Sequence, residues 1–292
     1  MPVLNIGSIN CDHVYHVADF VRPGETLACQ RYERHLGGKG LNQSIALQRA
    51  GVAVCHVGAI HQDDVWTAQA LERTGLPTGA IHRGEAETGH AIIQVSAAGE
   101  NCILLFPGAN ACLTPQHIQA ALDAHPDHGW VLLQNETNDI AATWAQALAA
   151  GRRVAWNPAP CAPGLGALPL EQLGLLVVNE IEAQQLSGAD TPPEALARLR
   201  ARCPDTLVVM TLGADGLHAA QGAQDWRLAA VPTTVVDTTA AGDTITGYLL
   251  AGLDAGLAVG AALQRALQAA AITVSREGAS PSIPWARELP SA

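Results

Sequence analysis

A chain of 292 residues that is 48% hydrophobic and 15% charged carries enough apolar material to bury a large core. Its 16 basic residues are outnumbered by 27 acidic ones, for a net charge of −11, so neither nucleic acid nor an anionic membrane is an expected partner. A small phosphorylated ligand is not excluded, because a few backbone N–H groups and a metal ion can hold phosphates on an acidic protein.

The N-terminal residues have no basic stretch and no cleavage pattern of a secretory signal. The seven cysteines (11, 29, 55, 102, 112, 161 and 203) are scattered without a CxxC, the pattern expected of reduced thiols in a cytoplasmic protein.

In chain order, Val3–Ser8, Val52–Ala59, Val131–Gln134, Arg153–Trp156, Leu175–Val178 and Thr206–Thr211 read as buried strands. Between them Leu41–Ala50, Asp63–Arg73, Pro115–Ala124, Asp139–Ala150 and Pro193–Arg202 have helical spacing, with Thr-Pro starts at 114–115 and 191–192. The apolar stretch Gly247–Leu263 reads as a buried helix, since Asp254 and its glycines suit no membrane span. Strand–helix alternation predicts an α/β fold with a parallel sheet covered by helices on both faces. Gln30–Leu36, His90–Val95 and Asn101–Phe106 break the alternation and predict a small projecting β layer, with residues 96–100 as a hairpin turn.

Two strings carry chemistry. In VDTTAAGDTITG (236–247), small residues lead into a glycine and an acid before a helical pattern. A helix starting there presents the N–H groups of Ala240, Ala241, Gly242 and Asp243 as an anion site, with Asp243 beside it to take a proton. The same string would also suit an ordinary helix capped by an aspartate. In LGGKGLNQSIAL (36–47), three glycines precede a helix, which fits either close approach of a polar ligand or a flexible hinge. Neither string is a P-loop or a dinucleotide fingerprint.

Together they resemble the two signatures of the ribokinase (PfkB) family of carbohydrate kinases. GSINCD (7–12), QNE (134–136), NPAP (157–160), VNEIEA (178–183), TLGADG (211–216) and REGASPS (276–282) follow in that family's order. IHQDDVW (60–66) departs from it, standing where the family has a glycine-bounded acidic turn.

The resemblance implies a single domain over 1–292, a three-layer α/β/α sandwich, with lid strands within 11–36 and 88–107. It implies an ATP-dependent kinase acting on the 5-hydroxyl of D-ribose, with Asp243 as base and the amides of Ala240, Ala241 and Gly242 as anion hole. Asn10, Asp12, Gly38, Lys39, Asn42, Glu136 and Asp243 correspond to sugar-binding positions. Asn179, Thr211, Gly213, Gly216 and Gly242 correspond to nucleotide-binding ones, with Mg2+ near Asn179 and Glu182. Asp237, Thr239, Thr273, Arg276, Gly278 and Ser282 correspond to a K+ site, and dimerisation through the lid is a further implication. A nucleoside kinase or a deoxyribokinase is the alternative. The low aromatic content, with Tyr15, Trp66 and Phe106 as the few rings expected near the cleft, leans toward a bare sugar. A catalytically silent binding protein would be expected to lack Gly242 or Asp243, and both are present.

Overall fold

The computed structural model describes residues 3–126 and 129–290; residues 1–2, 127–128 and 291–292 lie outside the described residues. Its strands are β1 (Val3–Ile6), β2 (Asn10–His16), β3 (Arg31–Gly37), β4 (Val54–His61), β5 (Ile81–Gly84), β6 (Gly89–Val95), β7 (Asn101–Phe106), β8 (Trp130–Leu133), β9 (Arg153–Trp156), β10 (Leu173–Asn179), β11 (Leu207–Thr211), β12 (Leu217–Gln221) and β13 (Gln224–Leu228). Its α-helices are α1 (Lys39–Arg49), α2 (Val65–Thr74), α3 (Pro115–Ala124), α4 (Ile140–Ala149), α5 (Glu180–Ser187), α6 (Pro192–Arg202), α7 (Ala241–Asp254) and α8 (Val259–Val274).

Among the described residues the main sheet has nine strands, in the order β13-β12-β11-β10-β9-β8-β1-β4-β5. It is parallel from β11 through β5, and the hairpin β12–β13 closes the other edge antiparallel. Successive side chains of a strand point to opposite faces, so strands covered on both sides read as unbroken apolar runs. In β1, Val3 joins the core formed with α1, α2, α7 and α8, while Leu4 and Ile6 join the one formed with α3, α4, α5 and α6. Each large side chain buried in these layers contributes roughly 1.5–3 kcal/mol.

The chain runs from β1 outward to β4 and β5, then returns to β8 on the other side of β1 and steps outward through β9, β10 and β11. The direction of winding therefore reverses between β1 and β8. In open α/β sheets such a switch point opens a crevice at the carboxyl ends of the strands.

A second sheet, in the order β3-β2-β6-β7, grows from the carboxyl end of β1 and forms a lid. Its strand β2 begins at Asn10 and β3 ends at Gly37, each one residue beyond the limits read from sequence. Strand β7 is exposed along its whole length.

The expected single helix over Gly247–Leu263 is two. Helix α7 ends at Asp254, and Gly256 adopts the left-handed conformation (φ 79°) while its N–H and that of Leu257 return to the carbonyls of Leu253 and Gly252. Helix α7 lies hard against α1, since a Cβ on Gly247 would stand 2.4 Å from Ala46 Cβ. This contact, one turn after Asp243, brings the start of α7 onto the first turns of α1.

Candidate active site

The carboxyl ends of the inner strands supply Ser8 after β1, Gln134 and Glu136 after β8, Asn157 after β9, Asn179 at the end of β10 and Thr211 at the end of β11. Opposite them stands the N-terminus of α7. Ala240, its capping residue, is held in the left-handed conformation (φ 61°) that a residue with a Cβ seldom adopts, a local strain typical of functional turns. Asp243 lies in the first turn and is buried. Asn42 Nδ2 donates to its Oδ2 at 3.0 Å and Gln43 Nε2 to its Oδ1 at 2.9 Å. Burial lifts the Asp243 carboxyl above the usual carboxylate range, against the opposing pull of Lys39, Gln43 and Asn42.

On one side of Asp243 lies a charged polar cluster. Glu136 Oε2 accepts from Ser8 Oγ at 2.5 Å and from the Lys39 N–H at 2.8 Å, and Lys39 Nζ stands 3.6 Å from Glu136 Oε1. Burial works to lower the Lys39 ammonium, but the carboxylates of Glu136, Asp243 and Glu182 outweigh it and hold it above its ordinary value. Burial, reinforced by the Glu136 charge, pushes Asp12 up to about 7. Asn10 Oδ1 accepts from Asn110 Nδ2 at 2.8 Å. Among the described residues Asn42 Oδ1 is buried without a hydrogen-bond partner, an acceptor that a ligand hydroxyl would satisfy.

The glycines of the 36–47 string serve chain packing more than ligand approach. A Cβ on Gly37 would fall 1.9 Å from Asp12 Oδ2, and one on Gly40 would fall 2.4 Å from the Ser8 nitrogen. Gly38, with φ 94°, is the turn that starts α1.

On the other side of Asp243 an apolar cleft of about 480 Å³ runs between Thr211, Gly213 and Gly216, the segment Ala230–Val235, and α7 and α8. Gly216 has φ 95°, and a Cβ there would meet Leu228 O at 2.1 Å, so the turn into β12 requires glycine. A smaller cleft of about 190 Å³, lined by Lys39, Asn179, Glu182, Ala240, Ala241, Gly242 and Asp243 among others, shares Thr211, Thr238, Ala241 and Gly242 with the first. A Cβ on Gly242 would meet nothing within 4 Å, so this glycine faces open space.

Asn179 caps α5: its Oδ1 accepts from the Glu182 N–H at 2.8 Å, and Glu182 Oε2 accepts from the Asn179 N–H at 2.9 Å. Glu182 also lines the smaller cleft, and burial raises its carboxyl above the usual range. Asp237 joins two loops: Oδ1 accepts from Thr239 N and Oγ1 (2.9 and 2.6 Å), and Oδ2 from Gly278 N at 2.9 Å. Burial would raise Asp237, but these donors outweigh it and hold it below the usual range. The Thr273 carbonyl accepts from Arg276 N, Ser282 Oγ donates to Ala279 O, and the Arg276 guanidinium turns away to Glu288.

Tyr15, Trp66 and Phe106 are not at this polar cluster. Asp12 faces His35 and Ala91 across the lid strands, whereas Tyr15 pairs with Tyr32 and Gln94 on the opposite face. Trp66 packs under Arg34 and Phe106 beside His90 on that same opposite face. Within the departing segment 60–66, Asp64 caps α2 by accepting from Thr67 N at 3.0 Å. The roles of Ser8, Gln43 and Asn110 were missed from sequence. For Gln43 the only hint was the run of three polar residues Asn42, Gln43 and Ser44 in α1, which the structure buries and which by itself assigns Gln43 no role.

Residues 3–286 match the pfkB family carbohydrate kinases. The ribokinase of Haemophilus influenzae is 34% identical, the match covering 97% of this chain and 95% of that protein. A crystal structure of ribokinase from Cryptococcus neoformans in complex with ADP superposes with a TM-score of 0.84 at 33% identity, covering 98% of both chains. That of Arabidopsis thaliana ribokinase complexed with ribose and ATP superposes with a TM-score of 0.86 at 26% identity, covering 98% of this chain and 96% of that one. The chain belongs to the pfkB family of carbohydrate kinases.

Proposed function

We propose that the chain transfers the terminal phosphoryl group of ATP to the 5-hydroxyl of D-ribose, giving ribose 5-phosphate and ADP. The observation that carries this reading is the position of Asp243, buried at the start of α7 between a polar cluster and an apolar cleft. The sequence similarity to ribokinases along nearly the whole chain supports it.

Phosphoryl transfer asks the protein for positioning, charge neutralisation and a base. Asp243 takes the proton of the attacking hydroxyl, a contribution of about 10²–10⁴-fold for a positioned base. The Ala240–Asp243 turn offers its amides to the charge that develops on the transferred group, and Gly242 leaves that group room. Asp12, Glu136 and the unpaired Asn42 Oδ1 accept from sugar hydroxyls, while Lys39 balances the carboxylates around them. Thr211, Gly213 and Gly216 border the cleft for the nucleoside part of ATP.

Asn179 and Glu182 would hold Mg2+ through its water shell, and the ion when bound neutralises phosphate charge. Asp237, Thr239, Thr273, Arg276, Gly278 and Ser282 would offer a K+ ion oxygen ligands, which suit a hard cation. Asp237 already ties the anion-hole turn to the 276–282 loop, so a cation there would steady that turn without touching substrate.

A homodimer through the lid completes the reading. Ile103 and Leu104 of β7 are 54% and 68% exposed, and a second copy would bury them. Light scattering should give about twice the 30.3 kDa chain mass, reduced to one chain by Ile103→Glu. A single-chain mass for the unaltered protein would overturn the dimer.

The nucleoside-kinase alternative needs aromatic faces for a base, and Tyr15, Trp66 and Phe106 stand on the wrong face of the lid. An ADP-release assay across pentoses, 2-deoxyribose, hexoses and nucleosides tests the proposal. Saturable turnover on ribose is expected; saturable turnover on a nucleoside or on 2-deoxyribose but not on ribose would replace it.

A further inference from the structure

Asp243 does not stand alone in the interior. Gln43, fully buried on α1, donates from Nε2 to Asp243 Oδ1 at 2.9 Å and to Asn157 Oδ1 at 3.0 Å. Its Oε1 accepts from Gln134 Nε2 at 2.7 Å. Gln134 Nε2 also donates to Asn5 Oδ1 at 2.9 Å, and Asn5 Nδ2 donates to Gly40 O and Ser44 Oγ, both at 2.7 Å. At the other end Asn157 Nδ2 donates to Val177 O at 2.9 Å.

These contacts have a direction. An amide side chain donates from nitrogen and accepts at oxygen, so each member of a chain fixes the next. Asn5 spends its nitrogen on Gly40 and Ser44, which leaves its oxygen for Gln134. Gln134 then presents nitrogen to Gln43 Oε1, which leaves the Gln43 nitrogen facing Asp243. Asn157, its own nitrogen held by Val177, presents oxygen to the same Gln43 nitrogen. Every orientation around Gln43 therefore ends with an N–H aimed at the carboxylate.

A carboxylate turns easily about its last torsion, which is broad and two-fold. In Asp243 one oxygen is held by Gln43 and the other by Asn42, so the group has one orientation. We propose that Gln43 is the positioning residue for the base: its amide, clamped between Gln134 and Asn157, fixes the Asp243 carboxylate in the orientation that takes the sugar proton. The proposal rests on the reading of Asp243 as base, and it gives the QNE and NPAP strings a shared task, since their Gln134 and Asn157 hold the amide that holds the base.

The charged groups facing Asp243 are Lys39 from α1 and Glu136 beyond β8, with Glu182 of α5 acting on Lys39. Gln43 is a neutral donor among them, and removing it deprives the ionised carboxylate of one of its two hydrogen bonds. The base should then be protonated up to a higher pH, and the acid limb of kcat should move upward. A residue that merely filled space would leave that limb where it was.

The test is the pH dependence of kcat and of the ribose KM for Gln43→Met, which keeps size and loses the donor, measured on the intact protein. The expected result is a fall in kcat of roughly tenfold to a hundredfold, the range for a hydrogen bond to a charged group, with the acid limb displaced upward and the ribose KM little changed. Gln43→Glu is the second variant: two carboxylates would share a proton, and its acid limb should also rise. An unmoved limb in whichever variant folds overturns the proposal, whether or not kcat falls. Asp243→Asn measured beside them separates the two ideas. If Asp243→Asn keeps its turnover, the assignment of the base fails; if it is inactive and the Gln43 limbs do not move, only the positioning role fails.

Discussion

On the side of Asp243 proposed for the sugar, Asp12, Lys39 and Glu136 gather formal charges from β2, α1 and the segment after β8, and burial acts on Asp12 and Lys39. On the side proposed for the nucleotide, the cleft from Thr211 to Val274 is lined by alanine, glycine, valine, threonine, proline, leucine and isoleucine, with no ionisable residue among the described ones. A site that hydrogen-bonds buried hydroxyls rejects ligands lacking them, because its own polar groups are then left unpaired, whereas an apolar slot discriminates weakly. Selectivity and pH sensitivity should therefore concentrate on the sugar side, with the α7 turn between the two sides carrying the rate.

That division can be broken at three points, taken from the largest expected effect downward. Gly242→Ala adds a methyl group where the structure has open space, so folding and thermal stability should be kept. A transferred group displaced by about 1 Å costs roughly 10²-fold, and kcat should fall by that order. A kcat equal to that of the unaltered protein would remove the anion hole from the account. Next, Asp12→Ala should raise the ribose KM by roughly tenfold to a hundredfold while the ATP KM stays put, since it removes a charged acceptor from one side only. A collapse of ATP affinity with ribose unaffected would reverse the assignment of the two sides. The smallest effect is one of pH. Burial and the neighbouring Glu136 charge push Asp12 up to about 7, so it is ionised above that pH and protonated below it. The ionised form is the better acceptor, and ribose affinity should decline as pH falls through about 7, by about tenfold per unit at most. The ATP KM, corrected for the nucleotide's own protonation, should stay level, and a parallel decline in both would erase the contrast.

Much of the fold was legible because local and tertiary demands agree. The span Arg153–Trp156 is strand β9 and Pro115–Ala124 is helix α3, residue for residue, the first an apolar run and the second opened by a threonine cap with proline in its first turn. The strands that residue periodicity missed, β2 among them although the resemblance placed lid strands within 11–36, have no such signature. NCDHVYH of β2 is polar at alternate and adjacent positions, and it is a strand because β3 and β6 pair with it on either side. The short β5 and the hairpin β12–β13 likewise depend on a neighbour already in place. Asp243 and Gly242 could be picked out because a helix start with glycine and acid has chemistry of its own. Gln43 could not, since its meaning comes from Asn5, Gln134, Asn157 and Asp243, which lie between 38 and 200 residues away and meet only through α1, α7 and the strand ends. The rings of Tyr15 and Phe106 show the reverse case: proximity in sequence to the lid says nothing of which face a side chain takes, and strand register decides it.

The claim at the centre of this account is that Asp243 acts as base and contributes little to holding either substrate. The most direct measurement is steady-state turnover of Asp243→Asn together with calorimetric binding of ribose and of ADP. The account predicts kcat lower by roughly 10²–10⁴-fold with both affinities largely retained, because the amide keeps the shape and loses the proton acceptor. Near-full turnover in Asp243→Asn would contradict it.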